Sequence, residues 1–172
     1  MPNAPRRVIV NTTPIIALSL IGKIDLLRQL YVEVMIPPAV RAEIFRGGAE
    51  RAGMTELQEA TWIQETQLQN PHSADLLVDL DRGEAEVLVL ALEQQADLVI
   101  LDERLGRQHA RRLRLSLTGT LGVLLRAKQL GFVSSIPSML EELQHSGIWL
   151  SKGVVRETLR LANEENINGE NE

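Results

Sequence analysis

The chain has 172 residues, 18 Lys and Arg against 23 Asp and Glu, and no cysteine. At 44% hydrophobic residues it has the material for one globular domain with a real core, while the missing cysteine excludes a disulfide scaffold, a Cys-ligated zinc site, an iron–sulfur cluster and a thiol nucleophile. Aromatics at 3% leave too few rings for a base-stacking platform, and a formal charge of -5 argues against a nonspecific nucleic-acid coat but not against a carboxylate metal site, which is itself acidic.

Val8-Ile9-Val10 is a β-branched run suited to a strand buried on both faces. Thr13-Pro14 reads as N-cap and first position of a helix that fills residues 15–21 and stops at Gly22. The uncharged run 8–22 is too short to span a bilayer and holds a helix start, so it reads as structure, although Arg6 and Arg7 before it resemble the start of a signal peptide. A second helix is predicted over 24–30 and a second strand over 31–36. Pro37-Pro38 halts that strand and opens a helix over 39–45. Residues 49–82 read as helix near 54–60, a short extended piece at Trp62-Ile63, a turn at Asn70-Pro71 and helix near 74–80.

Residues 83–95 predict an amphipathic helix with acids in its first turn. Leu98 to Leu101 predict a third buried strand, and 102–112 an arginine-rich helix. Leu113, Leu115 and Leu117 alternate with Arg114 and Ser116, which predicts a fourth strand with one wet face near an edge. Thr118-Gly119-Thr120 leads into a helix over 121–130. Ser138-x-x-Glu141 is a capping-box pattern for a helix ending near Gly147, and Ser151 caps one more to about Asn163. The last residues, ENINGENE, form a polar tail. The alternation predicts an α/β fold: a mostly parallel sheet of four to five strands with helices on both faces. Residues 1–150 make one domain, and 151–172 a C-terminal helix and tail packed on it.

Asn11, Asp102 and Thr118 follow three predicted strands, where open parallel sheets bind ligands. Glu43 and Glu84 sit on helices that can bring them to the same rim. An oxygen-only cluster of Glu43, Glu84 and Asp102, with Asn11 as a neutral fourth member, suits Mg²⁺ or Mn²⁺, and such an ion can activate water against a phosphodiester. Spacing alone leaves a plainer alternative, in which Glu84 is a helix-dipole partner and Asp102 an N-cap. Glu86 lies about 200° around the helix from Glu84 and is expected to face solvent or a partner. Glu103 could supply a substitute carboxylate beside Asp102, with a solvated position the plainer expectation. Arg104, Arg107 and Arg111 share a helical face. They suit RNA phosphates, or an ordinary wet helix with Arg107 paired to a buried acid. His72, His109 and His145 have no metal-ligand spacing and read as structural. Trp62 and Trp149 read as packing or interface residues.

The stretches VIVNTTPIIAL, MIPPAVRAEI, DRGEAEVLVLALE, LVILDERLGRQHA and TGTLGVLLRAKQLG, in this order, make the chain resemble a PIN-domain protein from residue 7 to about 150. It looks most like the compact prokaryotic group related to the VapC toxins. The resemblance implies a three-layer sandwich and a Mg²⁺- or Mn²⁺-dependent ribonuclease site. Glu43, Glu84 and Asp102 match three of the family's acids, and Thr13 the hydroxyl residue near the first. It also implies RNA as substrate, a cognate antitoxin and a homodimer; the absence of a predicted membrane span or signal peptide makes the cytoplasm the default compartment. The sequence departs from the pattern at Asn11, where the family has Asp. An amide oxygen can ligate a cation but adds no charge. A catalytically weakened or inactive module that binds RNA or a protein is therefore the alternative. A nucleotide-cofactor enzyme fits less well, because no Gly-rich phosphate loop follows a strand, and a receiver domain lacks its acidic phosphoacceptor.

Overall fold

The computed structural model describes residues 7–165. Residues 166–172 of the expected polar tail lie outside the described residues. The chain forms two compact units, Met1–Thr120 and Leu121–Glu172.

The first unit is built on five parallel strands, β1 (Arg7–Val10), β2 (Glu33–Ile36), β3 (Ile63–Glu65), β4 (Leu98–Ile100) and β5 (Leu117–Thr118), in the order β3-β2-β1-β4-β5. Between them run α1 (Thr12–Leu20), α2 (Leu26–Leu30), α3 (Pro38–Arg46), α4 (Met54–Glu59), a 3₁₀ helix (Pro71–Leu76), α5 (Arg82–Glu93) and α6 (Arg104–Arg112). This is the expected α/β sandwich. Parallel neighbours need crossovers, and helices supply them. Val8, Ile9 and Val10 are fully buried, as are Ile36, Ile100, Leu88 and Leu90. Each such side chain contributes about 1.5–3 kcal/mol by leaving water.

The strand order places the site. The chain moves from β1 to β2 on one side and later reaches β4 on the other, so the topology switches between β1 and β4. The carboxyl ends of strands at such a switch leave a crevice. Asn11 leaves β1 there, its N–H still bonded to the Ile100 carbonyl at 3.0 Å, and Asp102 and Glu103 leave β4 beside it.

Three local expectations change. Helix α1 starts at Thr12 with Asn11, not Thr13, at the cap position, and Asn11 makes no side-chain cap bond. The hydroxyls of Thr12 and Thr13 are turned instead to carboxylates elsewhere. The helix predicted near 74–80 is the earlier 3₁₀ helix, opened by Pro71. The strand predicted from Leu113 shrinks to Leu117–Thr118. Arg114 has φ 58, the Leu115 N–H returns to the Ala110 carbonyl at 2.9 Å, and this left-handed close of α6 uses up the first half of the leucine alternation.

The second unit holds α7 (Thr120–Gln129, its first residue in the first unit), α8 (Pro137–His145) and α9 (Lys152–Leu161). Ser151 caps α9 as expected, accepting from the Val154 N–H at 3.2 Å. The box expected at Ser138 does not form. Helix α8 opens on Pro137, and the Ile136 N–H donates instead to Glu164 at 3.0 Å. Glu164 also meets Ser135 and Lys128, so it ties the segment after α9 to α7 and the start of α8.

Candidate functional site

Glu43 and Glu84 reach the crevice on α3 and α5. The Thr12 hydroxyl donates to Glu43 Oε2 at 2.6 Å. Glu84 belongs to a capping box: its N–H donates to Asp81 Oδ1 at 2.8 Å, and the Asp81 N–H donates to Glu84 Oε2 at 3.2 Å. The pattern Asp81-x-x-Glu84 was visible in the sequence and explains why this buried acid sits at the very start of its helix.

Asn11 is 3% exposed. Its amide Nδ2 donates to Glu103 Oε2 at 3.1 Å, and the Thr13 hydroxyl donates to Glu103 Oε1. Its Oδ1 is buried without a hydrogen-bond donor. That oxygen is not isolated from other oxygens. A Cβ on Gly83 would lie 3.0 Å from Glu43 Oε2, 3.4 Å from Asp81 Oδ1 and 3.6 Å from Asn11 Oδ1. Glycine at 83 thus leaves open a small space that three oxygen acceptors line.

Asp102, expected as the third ligand, has another occupation. Its two oxygens accept from the N–H and hydroxyl of Thr120, at 2.8 and 2.5 Å. A Cβ on Gly119 would stand 2.5 Å from Asp102 Oδ1, so only glycine permits this turn. Asp102 thus anchors the β4 exit to Thr120; it is not the N-cap of α6, a position that Glu103 takes without a side-chain cap bond. The acid at Asn11 is Glu103, so of its two readings the plainer one, a solvated side chain, is corrected. No local pattern separates the adjacent Asp102 and Glu103; distant partners, Thr120 for one and Asn11 for the other, do.

Glu86 also departs from expectation. It is 7% exposed, accepts from the Ala39 N–H at 2.9 Å and pairs with Arg82 at 2.7 Å. It caps α3 from α5 and so fixes the helix that carries Glu43. Arg107 turns inward and donates to the Leu101 carbonyl at 2.8 Å. Arg104 and Arg111 are exposed. Thr118 ends β5 half-buried. His109 pairs with Asp79 at 3.0 Å and His72 with Asp75 at 3.3 Å. Trp62 lies under Arg28, and Trp149 is exposed.

Electrostatics follow from the crowding. Burial holds the Glu84 carboxyl above its usual range, and the charges of Asp81, Glu103 and Glu43 push the same way. Burial also raises Asp102, opposed by the two bonds from Thr120. Among the described residues, Glu43, Asp81, Glu84 and Glu103 have no Lys or Arg within salt-bridge distance. Nor do three acidic or imidazole side chains among the described residues form a ready-made ligand set. The donor chemistry nonetheless fits a hard divalent cation. The donors are oxygens throughout, the carboxylates lack a counter-charge, and one buried amide oxygen lacks a donor. Among the described residues no helix is long and apolar enough to cross a membrane.

A family model described as a PIN domain matches residues 7–164. A comparison with curated proteins finds no match.

Proposed function

Since the chain belongs to the PIN-domain family, a nuclease-type fold, we propose that it is a divalent-metal-dependent endoribonuclease of toxin–antitoxin type. Glu43, Glu84 and Glu103 hold the ion with the Asn11 amide oxygen, and Asp102 positions Glu103 by anchoring the β4 exit to Thr120. The observation that supports this most is Asn11 Oδ1: a buried acceptor with no donor, beside two carboxylate oxygens around Gly83. Such an atom is costly unless something electropositive sits against it.

A bound Mg²⁺ or Mn²⁺ supplies Lewis acidity toward water and phosphate. The chain's own groups do the rest. Thr12 and Thr13 fix the rotamers of Glu43 and Glu103. Glu84 enters the site buried in the first turn of α5, where the capping box with Asp81 fixes it. Arg104 and Arg111, exposed on α6, attract the RNA backbone, whereas Arg107 is committed to the Leu101 carbonyl. On this reading the protein acts in the cytoplasm as a homodimer, and a cognate antitoxin occupies the crevice.

Asn11 favours a second reading, a PIN-fold module that binds RNA or a partner without cleaving. The test is Mn²⁺-dependent cleavage of structured RNA by the wild type, Asn11→Asp, Glu84→Gln and Asp102→Asn. Wild-type cleavage that disappears in Glu84→Gln supports the enzyme. Cleavage only in Asn11→Asp identifies a retired site, and none in any folded variant leaves the binding module.

A further inference from the structure

A cleft of about 330 Å³ opens beside the acid cluster, between α3 and the start of α5. Ala39, Ala42, Glu43 and Arg46 form its α3 side, and Asp81, Arg82 and Gly83 its α5 side. The α3 residues recur at helical spacing, so one helix face supplies that wall. Three of its lining residues are small, Ala39, Ala42 and Gly83. Its two ends differ in charge. At the inner end Glu43 Oε2 and Asp81 Oδ1 surround the Gly83 space that Asn11 Oδ1 also lines. Farther along α3 stands Arg46.

The two arginines of the cleft are not equivalent. Arg82 is fully engaged: Nε donates to Glu86 at 2.7 Å, Nη1 to Asp75 at 2.5 Å and Nη2 to the Pro71 carbonyl at 3.4 Å. Arg46 is exposed, and among the described residues it has no carboxylate within salt-bridge distance. It is thus the cation of the cleft with a free guanidinium. Glu43 lies three positions before it on α3, so the acids and Arg46 line the same cleft about one helical turn apart. The volume is at the lower end of the range for small-ligand sites, about 300 Å³, which suits one nucleotide rather than a longer strand.

We propose that this cleft is the subsite for the RNA nucleotide next to the one held at the acid cluster, with Arg46 gripping its phosphate and Ala39 and Ala42 leaving room for its sugar. The proposal rests on the nuclease reading for its choice of ligand. Arg46 is then a binding residue that sets where the strand lies, and a guanidinium suits a phosphate because two parallel N–H groups can engage two oxygens.

The test measures binding of a short single-stranded RNA to the full chain, once in Ca²⁺ and once in EDTA, alongside Mn²⁺ binding by calorimetry. Arg46→Ala is expected to weaken RNA binding about tenfold and to lower the slope of log affinity against log salt by about 0.7, one phosphate contact on a single strand. Arg46→Lys is expected to keep that slope. Ala42→Phe fills the cleft without changing charge and is expected to weaken RNA binding with little change in slope. Mn²⁺ binding is expected to be unchanged in all three. If wild type binds no RNA, or Arg46→Ala matches wild type in affinity and slope, the subsite is wrong. If the Arg46 effect appears but wild type takes up no Mn²⁺, the metal-dependent reading fails and the subsite stands.

Discussion

Asn11 and Glu103 are hydrogen-bonded across the exits of β1 and β4, with Nδ2 donating to Oε2 at 3.1 Å. The pair places a neutral amide against a carboxylate where two carboxylates would repel. It also turns the amide oxygen away from Glu103, which leaves Oδ1 without a donor. The site therefore has one charge fewer than four acids would give.

Changing Asn11 to Asp inverts that balance. Without metal, the new carboxylate faces Glu103 and loses its donor bond, so Asn11→Asp is expected to be less stable by about 1–3 kcal/mol. With saturating Mn²⁺ the order is expected to reverse, because the extra charge strengthens ion binding and binding stabilises the fold. Thermal melts of both proteins, with and without Mn²⁺, check this. An Asn11→Asp protein that gains no more from Mn²⁺ than wild type contradicts the cation reading.

Glu84 gives the apoprotein an unusual pH response. Its pKa is raised above the ordinary value of 4.5, mainly by burial. The fold thus favours the protonated form. That contribution is complete below pH 4.5 and is lost as pH rises through the raised folded-state value. Asp102 acts in the same sense above 3.8. Asp75 and Asp79 are lowered by their partners and act oppositely, losing their contribution only below 3.8. Stability is therefore expected to rise as pH falls from neutral through the raised Glu84 pKa toward 4.5. Glu84→Gln is expected to flatten the rise, and identical profiles for the two proteins would show that Glu84 does not titrate abnormally.

Gly119→Ala is expected to destabilise the first unit by about 1–3 kcal/mol. The added Cβ falls 2.5 Å from Asp102 Oδ1, so the carboxylate must leave Thr120 and give up both bonds. Denaturant unfolding measures the loss. Asp102→Asn is expected to cost less, since the amide keeps one acceptor oxygen.

Arg104→Glu or Arg111→Glu is expected to weaken RNA binding much more than Lys152→Glu, with a smaller salt slope. Arg107→Ala is expected to act chiefly on stability, because its guanidinium serves the Leu101 carbonyl. Equal effects of the Arg104, Arg111 and Lys152 changes on RNA affinity would remove α6 from the RNA path.

Periodicity and punctuation in the sequence determined the parallel sheet, the helices between its strands and the rim where Asn11, Glu43 and Glu84 were expected. Runs such as Val8-Ile9-Val10 and stops such as Pro37-Pro38 act through local sterics and burial, which are properties of short segments. The partner of each polar side chain is a different kind of fact. Asp102 and Glu103 are adjacent in the chain, and only the position of Thr120 against one and Asn11 against the other divides their work. Glu86 looked outward on a helical wheel, yet the bare start of α3 lies against it and gives it an N–H to accept from. The leucine alternation after Arg112 failed for a related reason: a left-handed Arg114 closes α6 before a strand can begin. Hydrogen-bond partners far apart in the chain are brought together by packing, so tertiary structure alone decided them.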